Sequence, residues 1–476
     1  MRVNRARSIP LLLFVLVWLS TGWFGSWEGN PNNATRLFAA IELVERGDAR
    51  IDDWAPLTID KAIFDGHVYL DKAPGMTLLA LPAVALADAV TGDRATGIVR
   101  SVGDTRLDRF LKLRLRMAAI TGPALLTAIA AVLLYDLGLA LAGRAAAGLV
   151  AALGYALGSP IWGLSTTIMG HAAVAALFVI AVWALARAAM RGRGVPALLG
   201  GAALGYAVVV EYQAVLAGSA IALWSVWRLR GHPDRVRLLG LAAAGGIAGL
   251  MPLPAYNLIA FGTPFRIGYA GVQGFEGMQQ GLFGLGMPRL SVLFEIVFGD
   301  RRGLVWVAPV LVLAVPGLAS LAEDRRGKGI GLVAIAVVMV GLLVNAAYVY
   351  WDGGNATGPR HAMAMAGMLA LGLAPFWSSL HRAWQRMATA GLLGLSMAIN
   401  LMIAAAEIFA PPEYRFPLWS AVYDLRFRHG DLRTIPSDWW GWTTWHGLWL
   451  YLGLALPLLT TLVVQVRREE IRRGSS

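Results

Sequence analysis

The segment 58–75 holds the densest set of reactive side chains in the chain: three aspartates, two lysines, a histidine and a tyrosine. A carboxylate that reaches an acceptor hydroxyl can act as the general base of sugar or acyl transfer, and one base is enough when the leaving group is a phosphate. Asp60 and Asp71 are the candidates, because Asp65 belongs to an Asp-Gly turn dipeptide. The alternative is that Asp60 and Asp71, each followed by a lysine, form local ion pairs worth little.

The glycine-rich stretch 351–360 is the second candidate for chemistry. It begins with Trp351 and Asp352 and ends with Arg360. Glycines let backbone amides approach a ligand closely, and an arginine can hold a phosphate with a fork of donors. The alternative is an ordinary tight loop with an interfacial tryptophan and an arginine whose head group reaches toward water.

Further polar residues stand where apolar segments end, and ionisable groups at such boundaries are functional candidates by default. Each also has a simpler interpretation, as an interfacial histidine or as a glutamate that caps a helix. The candidate substrate-binding residues are His67, Tyr69, His171, Glu211, Tyr212, Trp351 and Asp352.

The composition defines the class of protein. Of 476 residues, 57% are hydrophobic and only 15% are charged, which is typical of a polytopic membrane protein. Lysine and arginine give a net charge of +12, but they form short clusters between apolar spans, so no nucleic-acid partner is expected. The absence of cysteine excludes disulfides and thiolate chemistry. No phosphate-loop motif is present, so the energy for any reaction must come from an activated substrate or a gradient.

The basic clusters predict the topology. Each lies next to an apolar segment and is expected in the cytoplasm by the positive-inside rule. The clusters are 1–7, 187–193, 228–237, 325–328, 382–386 and 467–473. Both chain termini are therefore expected on the cytoplasmic side, with the loops that return between paired spans on the outer side.

Five apolar stretches lie between the first two clusters, so one of them cannot span. The stretch 75–91 is the weakest, because it is short, contains Pro82 and carries Asp88. We expect it to lie in or dip into the outer interface. The alternative is that 75–91 spans and 145–162 does not.

This reading predicts an all-α bundle of about twelve transmembrane helices, with residues 1–476 as a single integral membrane domain. Residues 28–114 become one long outer loop with interfacial helices. The loops 351–360 and 410–444 lie on the same outer side, so the candidate residues gather at one rim of the bundle.

The order of motifs along the chain resembles bacterial membrane glycosyltransferases of the GT-C superfamily, whose relatives include protein O-mannosyltransferases and the aminoarabinose transferase that modifies lipid A. The motifs are an acidic first outer loop, Gly-His-x-Tyr-x-Asp-Lys-x-Pro-Gly at 66–75, Ser159-Pro160 before His171, Glu211-Tyr212, Phe-Gly-Thr-Pro-Phe at 261–265, and Trp-x-Gly-Gly-x-x-x-Gly-Pro-Arg at 351–360. The resemblance implies a multi-span fold in the bacterial plasma membrane and a polyprenyl-phosphate sugar as donor. It also implies a carboxylate base early in the first outer loop, a Lys-Pro element, and an arginine at the second span.

The chain departs from this pattern where the base is expected, because asparagines follow Glu28 at positions 30, 32 and 33. Glu28, Asp60 and Asp71 therefore remain competing candidates for the catalytic base. His171 stands where the family often has a second acid. The Lys-Pro element corresponds to Lys72 with one inserted residue, and the span arginine corresponds to Arg114 or Arg116. With Arg360, these three basic residues are the candidate ligands of the donor phosphate.

The sequence thus predicts a glycosyltransferase that moves a sugar by inversion from a lipid phosphate to a lipid, glycan or protein acceptor at the outer face of the membrane. A carrier or flippase of a lipid-linked glycan is the first alternative, because the asparagines suggest a lost base. A membrane transferase of acyl or phospho groups is the second. No cofactor is certain and no tight spacing of acids and histidines marks a metal site, but dependence on a divalent metal remains open.

Overall fold

The computed structural model describes residues 8–25, 27–325, 327–443 and 445–474, and these fold almost entirely into α-helices. The helices are α1 (Ser8–Trp23), α2 (Pro31–Arg46), α3 (Gly75–Thr91), α4 (Thr105–Ala119), α5 (Leu125–Ala142), α6 (Ala145–Ala156), α7 (Ile161–Leu164), α8 (Gly170–Arg191), α9 (Gly194–Val210), α10 (Ala214–Leu229), α11 (Arg235–Leu250), α12 (Pro252–Phe261), α13 (Leu290–Val297), α14 (Leu304–Val307), α15 (Ala314–Glu323), α16 (Lys328–Ala347), α17 (Ala366–Leu371), α18 (Leu373–Ser379), α19 (Ala383–Ala406), α20 (Ile435–Trp440) and α21 (His446–Gly474). Two π-helical segments, Ile120–Ala124 and Leu418–Arg426, and several short 3-10 turns complete the helical structure.

The protein is a multi-pass membrane protein. Within the described residues, seven helical stretches are long and apolar enough to cross a bilayer, and six shorter apolar helices accompany them. The seven are Thr105–Ala142, Gly170–Arg191, Arg235–Phe261, Lys328–Ala347, Arg360–Ser379, Ala383–Ala406 and His446–Arg472. Every apolar segment noted in the sequence corresponds to one of these thirteen, while the number of twelve crossings stays a prediction.

The first long loop is built from α2, α3 and a β-hairpin. The strands β1 (Ala62–Phe64) and β2 (His67–Tyr69) pair antiparallel around Asp65 and Gly66, whose φ angles of 52° and 82° are those of a tight hairpin turn. The expected Asp-Gly turn is thereby confirmed. The hairpin is a small β element in a fold predicted to be all-α.

Helix α3 begins against the end of α9. A Cβ on Gly75 would lie 2.6 Å from the backbone nitrogen of Val210, and the Tyr206 hydroxyl donates to the Gly75 carbonyl oxygen at 2.8 Å. Only glycine permits this approach. The contact brings the residues that precede α3, including Lys72, next to Glu211 at the end of α9.

The segment 262–289, between α12 and α13, lies across the hairpin. The backbone of Val272 bridges to Ala62 of β1, and the amide of Gln273 donates to the Lys61 carbonyl oxygen at 3.1 Å. Arg266 forms an ion pair of 3.0 Å with Asp65 in the turn. Two loops that are far apart in sequence therefore form one layer at this end of the bundle.

Helix packing within the bundle depends on small residues. Gly201 and Gly205 of α9 lie against the backbone of α11, and Gly245 and Gly249 of α11 lie against α9. Glycines four residues apart on both helices let the two backbones approach closely, as is common between membrane helices.

Candidate functional site

A cavity of about 320 Å³ lies where the first long loop meets α8, α10 and α16. One part of its wall is aliphatic and comes from membrane helices, with Val174, Ala217, Val340 and Val344. The other part carries the charged and titratable side chains Arg36, Asp60, Asp71, Lys72, His171, Glu211, Asp352, Arg360 and His361. A site with one apolar and one highly charged part suits an amphipathic ligand.

Lys72 forms one ionic group with the two predicted acids. Its Nζ atom lies 3.3 Å from Oδ2 of Asp60 and is also hydrogen-bonded to Oδ2 of Asp71. The Asp60 side chain is 10% exposed, whereas that of Asp71 is 0% exposed. Of the two carboxylates, Asp60 is therefore the one with surface available to a ligand.

Burial and ion pairing determine the ionisation of Asp71 and Lys72. Burial raises the pKa of Asp71, and neither its contact with Lys72 nor any other contact fully offsets this. Oδ1 of Asp71 is buried without a hydrogen-bond partner. Burial works against the charge of Lys72, but the Asp71 and Asp60 carboxylates raise the pKa of the lysine, so it stays protonated.

Arg360 lies in the cavity wall without a carboxylate partner. Within the described residues no Asp or Glu oxygen lies within the 4.0 Å of an ion pair, and Nη1 donates to the sulfur of Met169 at 3.3 Å. The glycine-rich loop makes room for this side chain, since a Cβ on Gly353 (φ 75°) would lie 2.7 Å from Nε of Arg360. The carboxylates of Asp60 and Glu211 act on Arg360 only from a distance. A mostly buried guanidinium without an ion-pair partner among the described residues is costly, so the arrangement fits an anionic ligand.

Two arginines outside the predicted site hold the glycine-rich loop. Arg302 donates from Nε to the Asp352 carbonyl oxygen at 2.7 Å and from Nη2 to the Gly354 carbonyl oxygen at 2.6 Å. Arg301 forms a 2.7 Å ion pair with the Asp352 carboxylate. Burial lowers the pKa of Arg302 to about 10, which still leaves it charged near neutral pH. These contacts position Asp352 and the backbone that leads to Arg360.

Glu211 follows the last residue of α9 and lies beside Arg36 and His171 in the charged part of the cavity wall. Its Oε1 atom is 3.4 Å from Nη2 of Arg36 and 4.0 Å from Nδ1 of His171. Burial raises the pKa of Glu211, more than the nearby cations Arg36, Lys72 and Arg360 lower it. A carboxyl group with a raised pKa can bind a hydroxyl or act as a general acid or base.

Three of the predicted catalytic and phosphate-binding residues, Glu28, Arg114 and Arg116, do not line the cavity. Glu28 lies near Lys112, with 4.0 Å between Oε1 and Nζ. Arg114 is buried in an ion pair with Asp88, with 2.9 Å from Nε to Oδ1, and its guanidinium lies over the Phe110 ring. The sequence did not predict the pairing of Arg114 with Asp88, because the two residues meet only through tertiary contacts.

Arg116 joins α4 to the last long loop. Its Nη2 atom lies 2.6 Å from Oδ2 of Asp438 in α20, and Nη1 donates to the Phe24 carbonyl oxygen. The side chain is almost fully buried in these contacts. Arg116 therefore connects structural elements, and like Arg114 it does not line the cavity.

The predicted substrate-binding residues divide in the same way. His171, Glu211 and Asp352 line the cavity. Four others lie outside it: His67 pairs with Asp52 at 2.8 Å, Tyr69 packs on Phe261, Tyr212 packs edge-on against Tyr269, and Trp351 lies over Arg301.

Sequence reasoning missed several cavity residues. Arg36 of α2 is 1% exposed and is held by Asn32 one turn earlier and by Glu211. His361 follows Arg360 and lies edge-on to His171, with 5.2 Å between ring centroids. An arginine one turn into an amphipathic helix and a histidine beside the predicted arginine were the available signals.

The described residues contain no group of three or more histidine, aspartate or glutamate side chains placed to hold a metal ion. The carboxylates around the cavity are mostly paired with cations, as Lys72 with Asp60 and Arg301 with Asp352 show.

Comparison with known proteins gives a likeness among solved structures and none among sequences. No family model matches the chain, and no curated protein does. Among solved structures, the chain is similar to the crystal structure of ArnT from Cupriavidus metallidurans bound to undecaprenyl phosphate, with 14% identity, a TM-score of 0.49, and coverage of 97% of this chain and 77% of that one.

Proposed function

We propose that this protein is a glycosyltransferase that takes a sugar from a polyprenyl-phosphate donor and transfers it to an acceptor at the outer face of a bacterial plasma membrane. The observation that carries the proposal is Arg360, a guanidinium in the cavity wall with no carboxylate partner among the described residues. An anion is the missing partner, and a phosphate matches the donor fork of arginine.

The cavity supports a lipid-linked donor in particular. Its aliphatic part lies among α8, α10 and α16, which are membrane helices, so a prenyl chain can remain in an apolar environment while the phosphate meets Arg360. A soluble sugar nucleotide would gain nothing from that part of the wall. Lys72 provides a second positive charge beside the phosphate, although Asp60 and Asp71 share it.

In the proposed reaction the acceptor hydroxyl attacks the anomeric carbon, and the bond from that carbon to the phosphate oxygen breaks with inversion. Asp60 takes the proton of the hydroxyl, since it is the member of the Asp60–Lys72–Asp71 group with exposed surface. The phosphate leaves as an anion, and Arg360 and Lys72 stabilise the charge that grows on it. The buried Asp71 carboxylate holds Lys72 in position through their ion pair.

A carrier of lipid-linked glycans is the second candidate function. Asn30 and Asn32 line the cavity, where the resembling family has its early carboxylate. The side chain of Asn30 accepts from the amides of Asn32 and Asn33 and so caps α2. A site with these amides in place of a base could hold a donor without consuming it.

The deciding experiment incubates the purified protein in detergent with radiolabelled polyprenyl-phosphate sugars and a mixed pool of envelope acceptors, with and without a divalent metal. Release of polyprenyl phosphate together with a labelled acceptor supports the transferase. Saturable binding with no release of polyprenyl phosphate supports the carrier. A run in the presence of a chelator tells whether a metal is needed.

A further inference from the structure

Aromatic rings form one side of the cavity, and the reaction proposed above does not use them. We call Tyr269, Phe275, Tyr348 and Tyr350 the aromatic wall; all four line the cavity. They come from the segment that lies across the hairpin and from the residues after α16. The sequence motifs contained none of them.

The rings of the aromatic wall are held by one another and by their own segment. Phe275 lies edge-on to Tyr350, with 5.7 Å between centroids and 87° between planes, and Tyr350 lies 6.0 Å from Tyr348. The Tyr350 hydroxyl accepts from the Gly277 amide at 3.0 Å, and the Tyr348 hydroxyl donates to the sulfur of Met278 at 3.1 Å. Since both hydroxyls are engaged in these contacts, we infer that Tyr348 and Tyr350 contribute mainly their rings to the cavity wall.

The wall stands beside the charged groups of the cavity. The Nζ atom of Lys72 lies 5.8 Å from the centroid of Phe275. Along α16, Val340 and Val344 contribute to the aliphatic part, whereas Tyr348 follows the last residue of the helix. At 1.5 Å per residue, Tyr348 lies roughly 6 Å along the axis from Val344 and roughly 12 Å from Val340. The aromatic wall therefore adjoins the aliphatic part at the C-terminal end of α16, where the sugar would follow the prenyl chain and phosphate.

We propose that the aromatic wall is the subsite for the sugar ring of the donor, with Phe275 as its specificity-determining residue. The proposal rests on the proposed function, because the sugar is covalently next to the phosphate that Arg360 and Lys72 hold. The C–H face of a sugar ring is apolar and carries slight positive charge, which complements the negative face of an aromatic ring. The carboxylates of Asp60 and Glu211 can accept hydrogen bonds from the sugar hydroxyls.

The test compares binding of two ligands in detergent micelles: the polyprenyl-phosphate sugar that wild-type protein binds most tightly, chosen from a panel of hexoses and pentoses, and polyprenyl phosphate itself. Phe275→Leu is expected to weaken binding of the glycosylated lipid about tenfold and to leave binding of polyprenyl phosphate within twofold. Phe275→Tyr, which keeps the ring, is expected to restore the affinity. Phe294→Leu replaces an exposed phenylalanine of α13 outside the cavity and serves as the matched control.

Equal weakening for both lipids in Phe275→Leu overturns the subsite, because the ring would then act on the phosphate or the chain. Unchanged binding of both lipids also overturns it. The proposed function fails separately, if the wild-type protein binds the glycosylated lipid but never releases polyprenyl phosphate. In that case a selective loss in Phe275→Leu still supports the sugar subsite, now in a carrier.

Discussion

The Nζ atom of Lys72 lies 3.3 Å from Oδ2 of Asp60, so the candidate base and a candidate phosphate ligand belong to the same ionic group. Asp71 completes the group from the buried side. A phosphate that approaches Lys72 must compete with both carboxylates for the ammonium. This competition leaves Arg360, which has no such partner among the described residues, as the principal anion-binding group.

The two aspartates are expected to differ in function. Asp60→Asn should lower kcat by about 10²- to 10⁴-fold, the usual contribution of a general base, with little change in donor KM. Asp71→Asn should reduce kcat less and mainly alter donor KM, because it acts through Lys72. Steady-state transfer assays on purified variants measure both. Asp65→Asn, in the hairpin turn of the same segment, is the control. Normal turnover in Asp60→Asn excludes this residue as the base.

Removal of the Arg360 side chain should weaken binding of the donor more than binding of the acceptor. Arg360→Ala is expected to weaken donor binding by about 2–3 kcal/mol, the range for a hydrogen bond to a charged group with its partner left unsatisfied. Arg360→Lys should recover only part of this, since an ammonium lacks the planar fork. Titration with polyprenyl phosphate gives the affinity. Arg266→Ala removes an arginine from the same end of the bundle, and equal losses in both variants contradict a specific phosphate site.

Glu211 should make stability fall as pH rises. Burial raises its pKa in the folded protein above 4.5, so the folded state binds more protons than the unfolded state between 4.5 and that raised value. Over this interval ionisation of Glu211 lowers the free energy of unfolding. Below pH 4.5 this effect is absent. Glu211→Gln should therefore show a smaller decline in Tm as the pH rises above 4.5. Thermal unfolding in detergent over a pH series measures the difference.

The exposed Glu276→Gln serves as the control for this pH series. It should follow the wild-type curve. If Glu211→Gln shows the same decline in Tm as the wild-type protein, the buried carboxyl does not contribute to the pH dependence.

Arg114 and Asp88 should act as a structural pair. Arg114→Met alone is expected to cost about 3–5 kcal/mol of unfolding free energy, because it leaves the buried Asp88 carboxylate with only the more distant Arg94, at 3.8 Å. Replacing both residues, Arg114→Met with Asp88→Leu, should recover most of it. Thermal unfolding compares the variants, and Arg106→Met, in an exposed ion pair with Asp93, should cost at most about 1 kcal/mol.

Transfer assays on the double variant separate the two functions of Arg114. A folded double variant with normal donor KM places this arginine outside phosphate binding. A selective rise in donor KM supports the prediction, made from the family resemblance, that Arg114 binds the donor phosphate.

Local patterns predicted the local features well. The hairpin turn at Asp65 follows from an Asp-Gly dipeptide, whose backbone preferences act over two residues. The apolar segments follow from hydropathy, since a lipid-facing helix must be apolar along its whole length. Arg360 could be identified because the glycines that make room for it are its neighbours in sequence.

The remaining site residues depend on contacts between distant segments. Arg36 is paired with Glu211, 175 positions away, and Arg116 with Asp438, 322 positions away. Arg114 and Arg116 lie two positions apart in the same apolar stretch, so no local pattern shows that each is already paired with a distant aspartate. Phe275 and Tyr350 lie in loops whose composition suggests no function.

The sequence by itself determined that this is a multi-pass helical membrane protein and that its reactive residues lie in loops between apolar segments, because hydropathy and turn chemistry act over short distances. Only the tertiary structure decided which charges remain available. Arg114 and Arg116 are already held in ion pairs, burial separates Asp71 from Asp60, and loop packing sets an aromatic wall beside Lys72. Availability of a charge depends on its neighbours in space, and packing of the whole chain places those neighbours.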